Sequence, residues 1–346
     1  MVPDTPLQLL LATGAAEMAG VGGAVPRPAG LGDAPNASGI ERLLEALDAA
    51  APFKGSDCTD LDAVAALNYT GGTTGMPKGC VHTHGDMLYT VAAYCGCAMS
   101  NANSQDVVVN FFPMFWIAGE DLGLLAPVYS GAAVCLLHRW DALGWMAAVT
   151  EHRATVVTLL VDNAVEVMRH PDVKNYDLTS LQSSSVCSFV KKLSSAFREE
   201  WRDLTGSTMV EAAYGMTETN TCDTFTVGLQ HDDYDLQQQP VFVGLPVPET
   251  DIIIRDFDTG ELKGIGDTGE ICVRSPSVLK SYWNKPDETK HAIRNGWLHT
   301  GDIGMVNERG LVHYLGRRKE MLKVNGMPVF PAEIEMLLGR HPAVLG

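Results

Sequence analysis

The eleven residues from Tyr69 to Gly79 constrain this chain most strongly. They read Tyr-Thr-Gly-Gly-Thr-Thr-Gly-Met-Pro-Lys-Gly, between an apolar run, Val64 to Leu67, that predicts a strand and a segment, Asp86 to Cys97, that predicts a helix. Glycines let backbone N–H groups approach an anion, threonine hydroxyls add donors, and a lysine adds a point charge. The spacing predicts a phosphate-binding loop, although not a Walker A loop, because Lys78 follows Pro77. The alternative is a flexible Gly/Thr turn, which Pro77 disfavours because it fixes the backbone.

Composition and charge limit what the chain can bind. Its 346 residues suffice for two or three domains, and 46% apolar with 19% charged residues indicates a globular protein. The net charge of −17 disfavours a general nucleic-acid or anionic-membrane surface. Local cations and backbone donors must therefore meet any nucleotide or coenzyme A phosphate.

The cysteines and the N-terminus bear on location. Eight cysteines are scattered without a Cys-x-x-Cys pair, which predicts no zinc site and favours reduced, buried thiols in a cytoplasmic protein. No basic segment precedes an apolar run at the N-terminus, so no signal peptide is predicted. The most apolar long run, Leu122 to Leu137, is too short for a transmembrane segment. His82 and His84 have no third ligand nearby in sequence, which favours packing or capping over metal binding.

Hydrophobic patterning predicts the fold class. Strand candidates at Asp106 to Phe112, Ala132 to Leu137 and Thr155 to Val161 alternate with helices at Asp141 to His152 and Lys191 to Leu204. Such alternation is typical of a parallel sheet with helices on both faces. From residue 241 onward, short strands predict a small antiparallel barrel or sheet. The predicted class is α/β, with parallel-type sheets and flanking helices, a small β-barrel-like subdomain, and the start of a small α+β domain.

The glycine-rich loop resembles the phosphate-binding loop of the adenylate-forming superfamily. That superfamily includes acyl-CoA synthetases, nonribosomal peptide adenylation domains and beetle-luciferase-type enzymes, and its loop reads Ser/Thr-Ser/Gly-Gly-Thr-Thr-Gly-x-Pro-Lys-Gly. The resemblance implies that the loop holds the departing phosphates of ATP through Thr70, Gly71, Gly72, Thr73, Thr74, Gly75 and Lys78.

A second motif has the chemistry of a nucleotide site. The string Tyr-Gly-Met-Thr-Glu at 214–218 follows an apolar strand, Thr208 to Ala213. Tyr214 offers a flat face for a purine, Gly215 permits a tight turn, Thr217 can donate to a phosphate, and Glu218 can bind Mg²⁺. The alternative is an exposed polar turn. The string resembles the family's Tyr-Gly-x-Thr-Glu motif, which implies these roles.

Two segments resemble the family's acyl and adenylate contacts. Pro113 to Gly119 is similar to Pro-x-Phe-His-x-x-Gly beside the acyl pocket, with Trp116 in the histidine position. The alternative is an aromatic core corner. Ser183 to Ser185 stands where relatives have a small-residue turn, so the resemblance implies that Ser184 and Ser185 bind nucleotide and that Ser184, Trp116 and Gly119 line the acid pocket. A polar helix cap is the alternative.

Two later segments complete the set. Asp302 stands between glycines in a predicted turn, where it either accepts the two hydroxyls of a ribose or only closes its turn. The basic segment after Gly316 would ordinarily be a solvated charged turn. The resemblance implies that Asp302 and Arg317 bind the ribose, Lys319 is a hinge between domains, Lys323 faces the site when CoA reacts, and Gly326 leaves room for pantetheine.

Together these motifs resemble an acyl-CoA ligase of the fatty-acid branch, from about Tyr69 to His341. The resemblance implies that ATP, with Mg²⁺, converts a fatty or aryl acid to an acyl-adenylate, which coenzyme A then attacks. The implied catalytic residues are Lys78, Thr217, Glu218 and Lys323. An adenylation module that loads a carrier protein, or a catalytically weak nucleotide-binding remnant, are the alternatives.

The domain organisation follows from the same resemblance. The chain looks short at both ends relative to the family, which predicts a fragment with poor turnover. Residues 1–240 are expected to form the large domain, 241–316 its β-rich subdomain, and 317–346 the hinge and the beginning of the C-terminal domain. The sequence leaves the oligomeric state open.

Overall fold

The computed structural model describes residues 11–12, 41–51, 59–70, 76–98, 102–188, 191–211, 214–238, 242–320, 322–324, 327–329 and 338. Its strands, in chain order, are β1 Leu11–Ala12, β2 Glu41–Arg42, β3 Val64–Tyr69, β4 Gly79–Thr83, β5 Val107–Asn110, β6 Ala133–Leu136, β7 Val156–Leu160, β8 Ser183–Cys187, β9 Met209–Glu211, β10 Thr224–Phe225, β11 Phe242–Pro246, β12 Asp251–Arg255, β13 Gly269–Arg274, β14 Ser281–Tyr282, β15 Ile293–Arg294, β16 Trp297–Val306, β17 Val312–Arg317, β18 Leu322–Val324 and β19 Met327–Val329.

The helices of the same ranges are mostly short. The α-helices are α1 Leu43–Ala49, α2 His84–Ala93, α3 Ile117–Glu120, α4 Ala126–Ser130, α5 Ala142–His152, α6 Val161–Met168, α7 Ser195–Thr205, α8 Tyr234–Gln237 and α9 Pro286–Ala292. Tyr94–Ala98 and Asp121–Leu125 are π-helical, and Val173–Asn175, Thr217–Thr219 and His231–Asp233 are 3-10 turns.

A five-stranded parallel sheet in the order β6-β5-β7-β8-β9 forms the centre of the fold. Parallel strands need crossover connections, and α5, α6 and α7 provide them between β6, β7, β8 and β9. On one face, Val157 packs with the fully buried Trp145 and Trp201. On the other face, Val156 packs with Val91 and Tyr94. Helices therefore cover both faces, and the predicted α/β class is confirmed.

Most of the antiparallel part follows residue 241, as predicted, and β10 joins it from earlier in the chain. Its strands run in the order β10-β11-β17-β16-β13-β12, with β15 beside β16. The prediction that Asp302 stands in a turn is wrong: it lies inside β16 and pairs with Arg317 of β17. Of the two neighbouring glycines, Gly304 serves the strand pairing, whereas Gly301 has a φ of +74° within the strand. A Cβ on Gly304 would come within 2.4 Å of the His313 carbonyl oxygen, so glycine permits close approach of the two backbones.

The glycine-rich loop joins two antiparallel strands, not a strand and a helix as predicted. Strand β3 pairs with β4, and β14 joins β4 from its other side. Helix α2 begins only after β4, at His84, where Thr83 caps it and Asp86 completes a capping box. The prediction missed β4 because all five of its residues are buried, so the strand shows no alternation of polar and apolar residues.

Within the ranges described, no helix combines the length and the apolar character that crossing a lipid bilayer requires.

Candidate active site

A buried carboxylate joins three of the predicted nucleotide residues. The Tyr214 hydroxyl donates to Asp302 Oδ2 at 2.6 Å, and Arg317 Nε lies 3.0 Å from Asp302 Oδ1. Asp302 is 1% exposed. The Arg317 contact is an ion pair without hydrogen-bond alignment, since Oδ1 accepts no hydrogen bond from the described residues. One buried carboxylate oxygen therefore stays able to accept a ligand hydroxyl.

The environment of Asp302 changes its acidity. Burial raises the pKa of Asp302 to about 6, opposed by the Arg317 charge and the Tyr214 hydrogen bond. The Glu218 charge adds to the rise, so Glu218 lies within electrostatic reach of this corner. Because the native pKa exceeds the unfolded value, the ionised Asp302 lowers folding stability above pH 6, and this cost diminishes as pH falls through 6 towards the unfolded pKa.

We expect the affinity for ATP to fall on acidification through pH 6. Protonated Asp302 loses the charge that strengthens a hydrogen bond from a ribose hydroxyl, so well below this pKa the dissociation constant should rise about tenfold per pH unit. Calorimetric titration of ATP between about pH 5 and 8 would measure this change in the dissociation constant. The variant Asp302→Asn should bind ATP without this step, and an identical step in that variant would assign the proton to another group.

A second group of predicted residues meets at Tyr282. Its hydroxyl donates to Glu218 Oε1 at 2.8 Å, and Lys78 Nζ lies 4.1 Å from the centre of its ring. Tyr282 lies in β14, which pairs with β4 directly after the glycine-rich loop. The sequence-based prediction gave this tyrosine no role in the site. Its signal was only a Tyr-Trp pair followed by Pro286 and Thr289, and the Thr289 hydroxyl accepts the Tyr282 N–H at 2.9 Å.

The backbone around Glu218 is held from three sides. His82 Nε2 donates to the Thr217 carbonyl oxygen at 2.8 Å, and Leu279 N–H donates to the Glu218 carbonyl oxygen at 2.8 Å. A Cβ on Gly215 would come within 1.5 Å of the Thr221 carbonyl oxygen, so this position requires glycine. His82 is fully buried and has the packing role that its sequence context favoured.

Two of the residues predicted to line the acid pocket, Trp116 and Gly119, lie at and within α3. Trp116 packs edge-on against Phe112, with ring centres 5.1 Å apart, and precedes α3. A Cβ on Gly119 would come within 2.1 Å of the Pro113 carbonyl oxygen, so glycine permits close packing there. Their role in binding the acid stays a prediction.

The prediction that Ser183 to Ser185 form a turn is wrong. Ser184 and Ser185 lie inside β8, not in a turn, and Ser184 is 1% exposed. The Ser184 hydroxyl donates to Ser207 Oγ at 3.0 Å and accepts from Trp201 Nε1 at 3.0 Å. These contacts hold Ser184 in the core beneath α7. This position contradicts the prediction that Ser184 binds nucleotide and lines the acid pocket. Ser185 points to the other face of the sheet and is half-buried.

Several predicted residues lie outside the described ranges: Gly71, Gly72, Thr73, Thr74, Gly75 and Gly326. The ends of the glycine-rich loop are described. Thr70 N–H donates to the Lys78 carbonyl oxygen at 3.0 Å, and Lys78 N–H donates to Thr70 Oγ1 at 3.3 Å. Lys319 lies in a turn after β17, and the backbone of Lys323 lies in β18.

The fold and these two groups of residues define the class. The chain belongs to the AMP-binding enzyme family, whose sequence profile matches residues 21–283. This confirms the resemblance to adenylate-forming enzymes.

Similar proteins of known sequence are named as CoA ligases. The long-chain-fatty-acid–CoA ligase of Bacillus subtilis (strain 168) is 31% identical over 283 residues, which cover 81% of this chain and 49% of that protein. The 4-coumarate–CoA ligase 1 of Solanum tuberosum is 31% identical over 288 residues, covering 82% and 52%. The chain thus spans about half the length of the curated relatives it matches.

Solved structures show the same fold. The O-succinylbenzoate coenzyme A synthetase of Bacillus subtilis, in complex with ATP and magnesium, aligns with a TM-score of 0.75 and 26% identity, covering 88% of this chain and 61% of that one. ATP-bound MatB from Rhodopseudomonas palustris aligns with a TM-score of 0.74 and 28% identity, covering 88% and 60%.

Proposed function

We propose that this site activates a carboxylic acid with ATP and passes the acyl group to coenzyme A. One observation carries the proposal: a carboxylate suited to ribose, Asp302, lies within electrostatic reach of Glu218, which Tyr282 joins to Lys78. A nucleotide with its ribose at Asp302 would extend its phosphates toward Lys78. The CoA-ligase names of the relatives support the choice of reaction.

In the first step, a carboxylate oxygen attacks the α-phosphorus of ATP. A new P–O bond forms, the bond from that phosphorus to the β-phosphate oxygen breaks, and pyrophosphate leaves with the electron pair. Positioning and charge neutralisation dominate such a step. Tyr214, Asp302 and Arg317 would place the adenosine, and the loop from Thr70 to Lys78 would hold the phosphates.

Glu218 is the residue that would hold Mg²⁺ in this site, together with phosphate oxygens. Carboxylate oxygens are the ligands that Mg²⁺ prefers, and the Tyr282 hydrogen bond already orients this one. The bound ion would neutralise charge on the phosphates.

In the second step, the thiol sulfur of coenzyme A attacks the acyl carbon. A thioester bond forms, the acyl–phosphate C–O bond breaks, AMP leaves, and the thiol proton passes to solvent. We propose that the boundaries at residues 240 and 316 divide the chain as the family does. Rotation about Lys319 would then bring Lys323 to the site and open a path past Gly326 for pantetheine.

The acid is proposed to be a fatty acid, bound beside Trp116 and Gly119. The name of the bacterial relative supports this choice, whereas that of the plant relative supports an aryl acid. These two classes differ in shape, so a panel that contains both would separate them.

Acid-dependent exchange between ATP and pyrophosphate tests the proposal. The assay would use the 346-residue chain and the longest reading frame that contains it, with fatty and aryl acids, followed by coenzyme A. We expect exchange with one acid class, CoA-dependent release of AMP, and weaker turnover by the shorter chain. Exchange without reaction of CoA would overturn the acceptor, and ATP binding without any exchange would overturn acid activation.

Tyr282→Phe is expected to raise the Mg²⁺ concentration for half-maximal exchange about tenfold. The change removes one hydrogen bond to the Glu218 carboxylate, about 1.5 kcal/mol. The measurement is exchange rate against Mg²⁺ at fixed ATP. Trp283→Phe, at a neighbouring side chain 48% exposed, serves as control and should leave the requirement unchanged. An unaltered Mg²⁺ requirement in Tyr282→Phe would contradict its role in positioning Glu218.

A further inference from the structure

Three side chains with metal-binding atoms meet on the antiparallel sheet. Glu270 and Cys272 are two residues apart on β13 and therefore share a face. His299 on β16 is the register partner of Cys272 and projects from the same face. Two adjacent paired strands thus fix all three side chains relative to one another.

The distances approach those of a tetrahedral ion. Cys272 Sγ lies 3.4 Å from His299 Nδ1, and His299 Nδ1 lies 2.7 Å from Glu270 Oε2. All three atoms lie within 4.8 Å of one another. Tetrahedral zinc, with bonds of about 2.0 to 2.3 Å, separates its ligand atoms by about 3.5 Å. The Cys–His pair already has that separation, and the His–Glu pair would open by less than about 1 Å.

The three side chains are almost entirely shielded from solvent. Cys272 is fully buried, and the side chains of Glu270 and His299 are 7% and 8% exposed. The Gly301 N–H donates to Glu270 Oε1 at 3.1 Å, and this hydrogen bond orients the carboxylate so that Oε2 faces His299. Arg294 Nη2 lies 3.5 Å from Glu270 Oε2, but its side chain is 42% exposed and can turn to water when an ion takes that oxygen.

The thiol supplies the chemical reason for a thiophilic ion. A bound divalent cation displaces the thiol proton because its charge stabilises the thiolate. Thiolate, imidazole and carboxylate together are ligands typical of zinc.

We propose that Glu270, Cys272 and His299 bind one zinc-type divalent cation, with water as the fourth ligand. The cation forms bonds to the Cys272 sulfur, His299 Nδ1 and a Glu270 oxygen. The Cys272 thiol proton passes to the buffer, and the proton between His299 Nδ1 and Glu270 moves to Nε2, which leaves a neutral imidazole. The cysteine spacing in the sequence predicted no zinc site, because the ligands come from two strands about thirty residues apart.

Metal binding to the purified, metal-free chain tests the site. We expect one Zn²⁺ per chain by calorimetric titration, proton release to the buffer, and a sulfur-to-metal charge-transfer absorption with Co²⁺. Cys272→Ser should weaken binding at least about 100-fold and remove the absorption, since losing only a hydrogen-bond partner of a metal ligand already costs about 10–100-fold. Cys135→Ser, at a half-buried cysteine of β6, is the matched control and should bind as the parent does.

The outcomes decide the proposal either way. Absence of stoichiometric binding would overturn the site. Binding that Cys272→Ser leaves unchanged would show an adventitious ion only, and would overturn the site as well. Melting temperatures without metal show whether each variant is folded. If Cys272→Ser does not fold, His299→Gln supplies the same comparison, because losing the imidazole should also weaken binding at least about 100-fold. None of these readouts depends on acid activation.

Discussion

Asp302→Asn is expected to raise the dissociation constant for ATP about 100-fold. Hydrogen bonds to a charged group contribute about 1.5 to 3 kcal/mol each, and about 3 kcal/mol corresponds to roughly 100-fold in affinity. The amide keeps the size of the carboxylate but loses its charge, and its NH₂ group opposes either the Tyr214 hydroxyl or Arg317. Calorimetric titration of ATP measures the affinity, and exchange at low ATP should fall by a similar factor.

A control separates this effect from general loss of charge. Asp258 lies near the same end of the antiparallel sheet, pairs with Arg318 at 2.7 Å and has a side chain 83% exposed. Solvent-exposed pairs contribute little, so Asp258→Asn should change ATP affinity less than about twofold. The melting temperature of Asp302→Asn should not fall, because burial already disfavours its ionised carboxylate. Parent-like ATP affinity in Asp302→Asn would contradict the ribose assignment.

The sequence alone indicated the part of the site whose residues lie close together in the chain. Tyr214 and Glu218 stand four residues apart in one string, so the string alone indicated a nucleotide site. Tyr282 was missed because its role comes from strand β14 pairing with β4, about two hundred residues earlier. Asp302 was found as a residue but misplaced in a turn, since glycines that permit close strand approach and glycines that form turns look alike in sequence.

The fold was predictable where buried strands appear in the sequence as apolar runs. The parallel sheet was found from apolar runs between helices, and β5, β6, β7 and β9 agree with the predicted strands to within a few residues. Strand β8 was misjudged because its serines look solvent-facing. Trp201 and Ser207 satisfy the Ser184 hydroxyl inside the core, and no local signal in the sequence shows these partners.

A buried ion pair joins α7 to the segment from Asp233 to Asp235. Arg198 of α7 is 1% exposed and donates through Nη1 and Nη2 to both oxygens of Asp235, at 2.8 and 2.7 Å. Its Nη1 also lies 2.7 Å from Asp233 Oδ1, and its Nε donates to the Met209 carbonyl oxygen at 3.0 Å. Since β9 begins at Met209, the same arginine also holds this strand, which precedes the motif in the sequence.

Arg198→Met is expected to lower the free energy of unfolding by about 3 to 5 kcal/mol, because it leaves Asp235 as a buried carboxylate without its partner. Urea denaturation would measure the loss. Arg169→Met is the matched control: Arg169 pairs with Glu200 at 3.3 Å but is 59% exposed, so its loss should cost less than about 1 kcal/mol.

A double variant tests the cause. Arg198→Met with Asp235→Leu removes both charges of the buried pair, so it should recover most of the stability lost by the single change. Recovery would show that the single variant suffers from an unpaired buried charge, not from a lost contact with β9. Equal losses in the single and double variants would instead assign the stability to the Arg198–Met209 hydrogen bond and to packing of the arginine side chain.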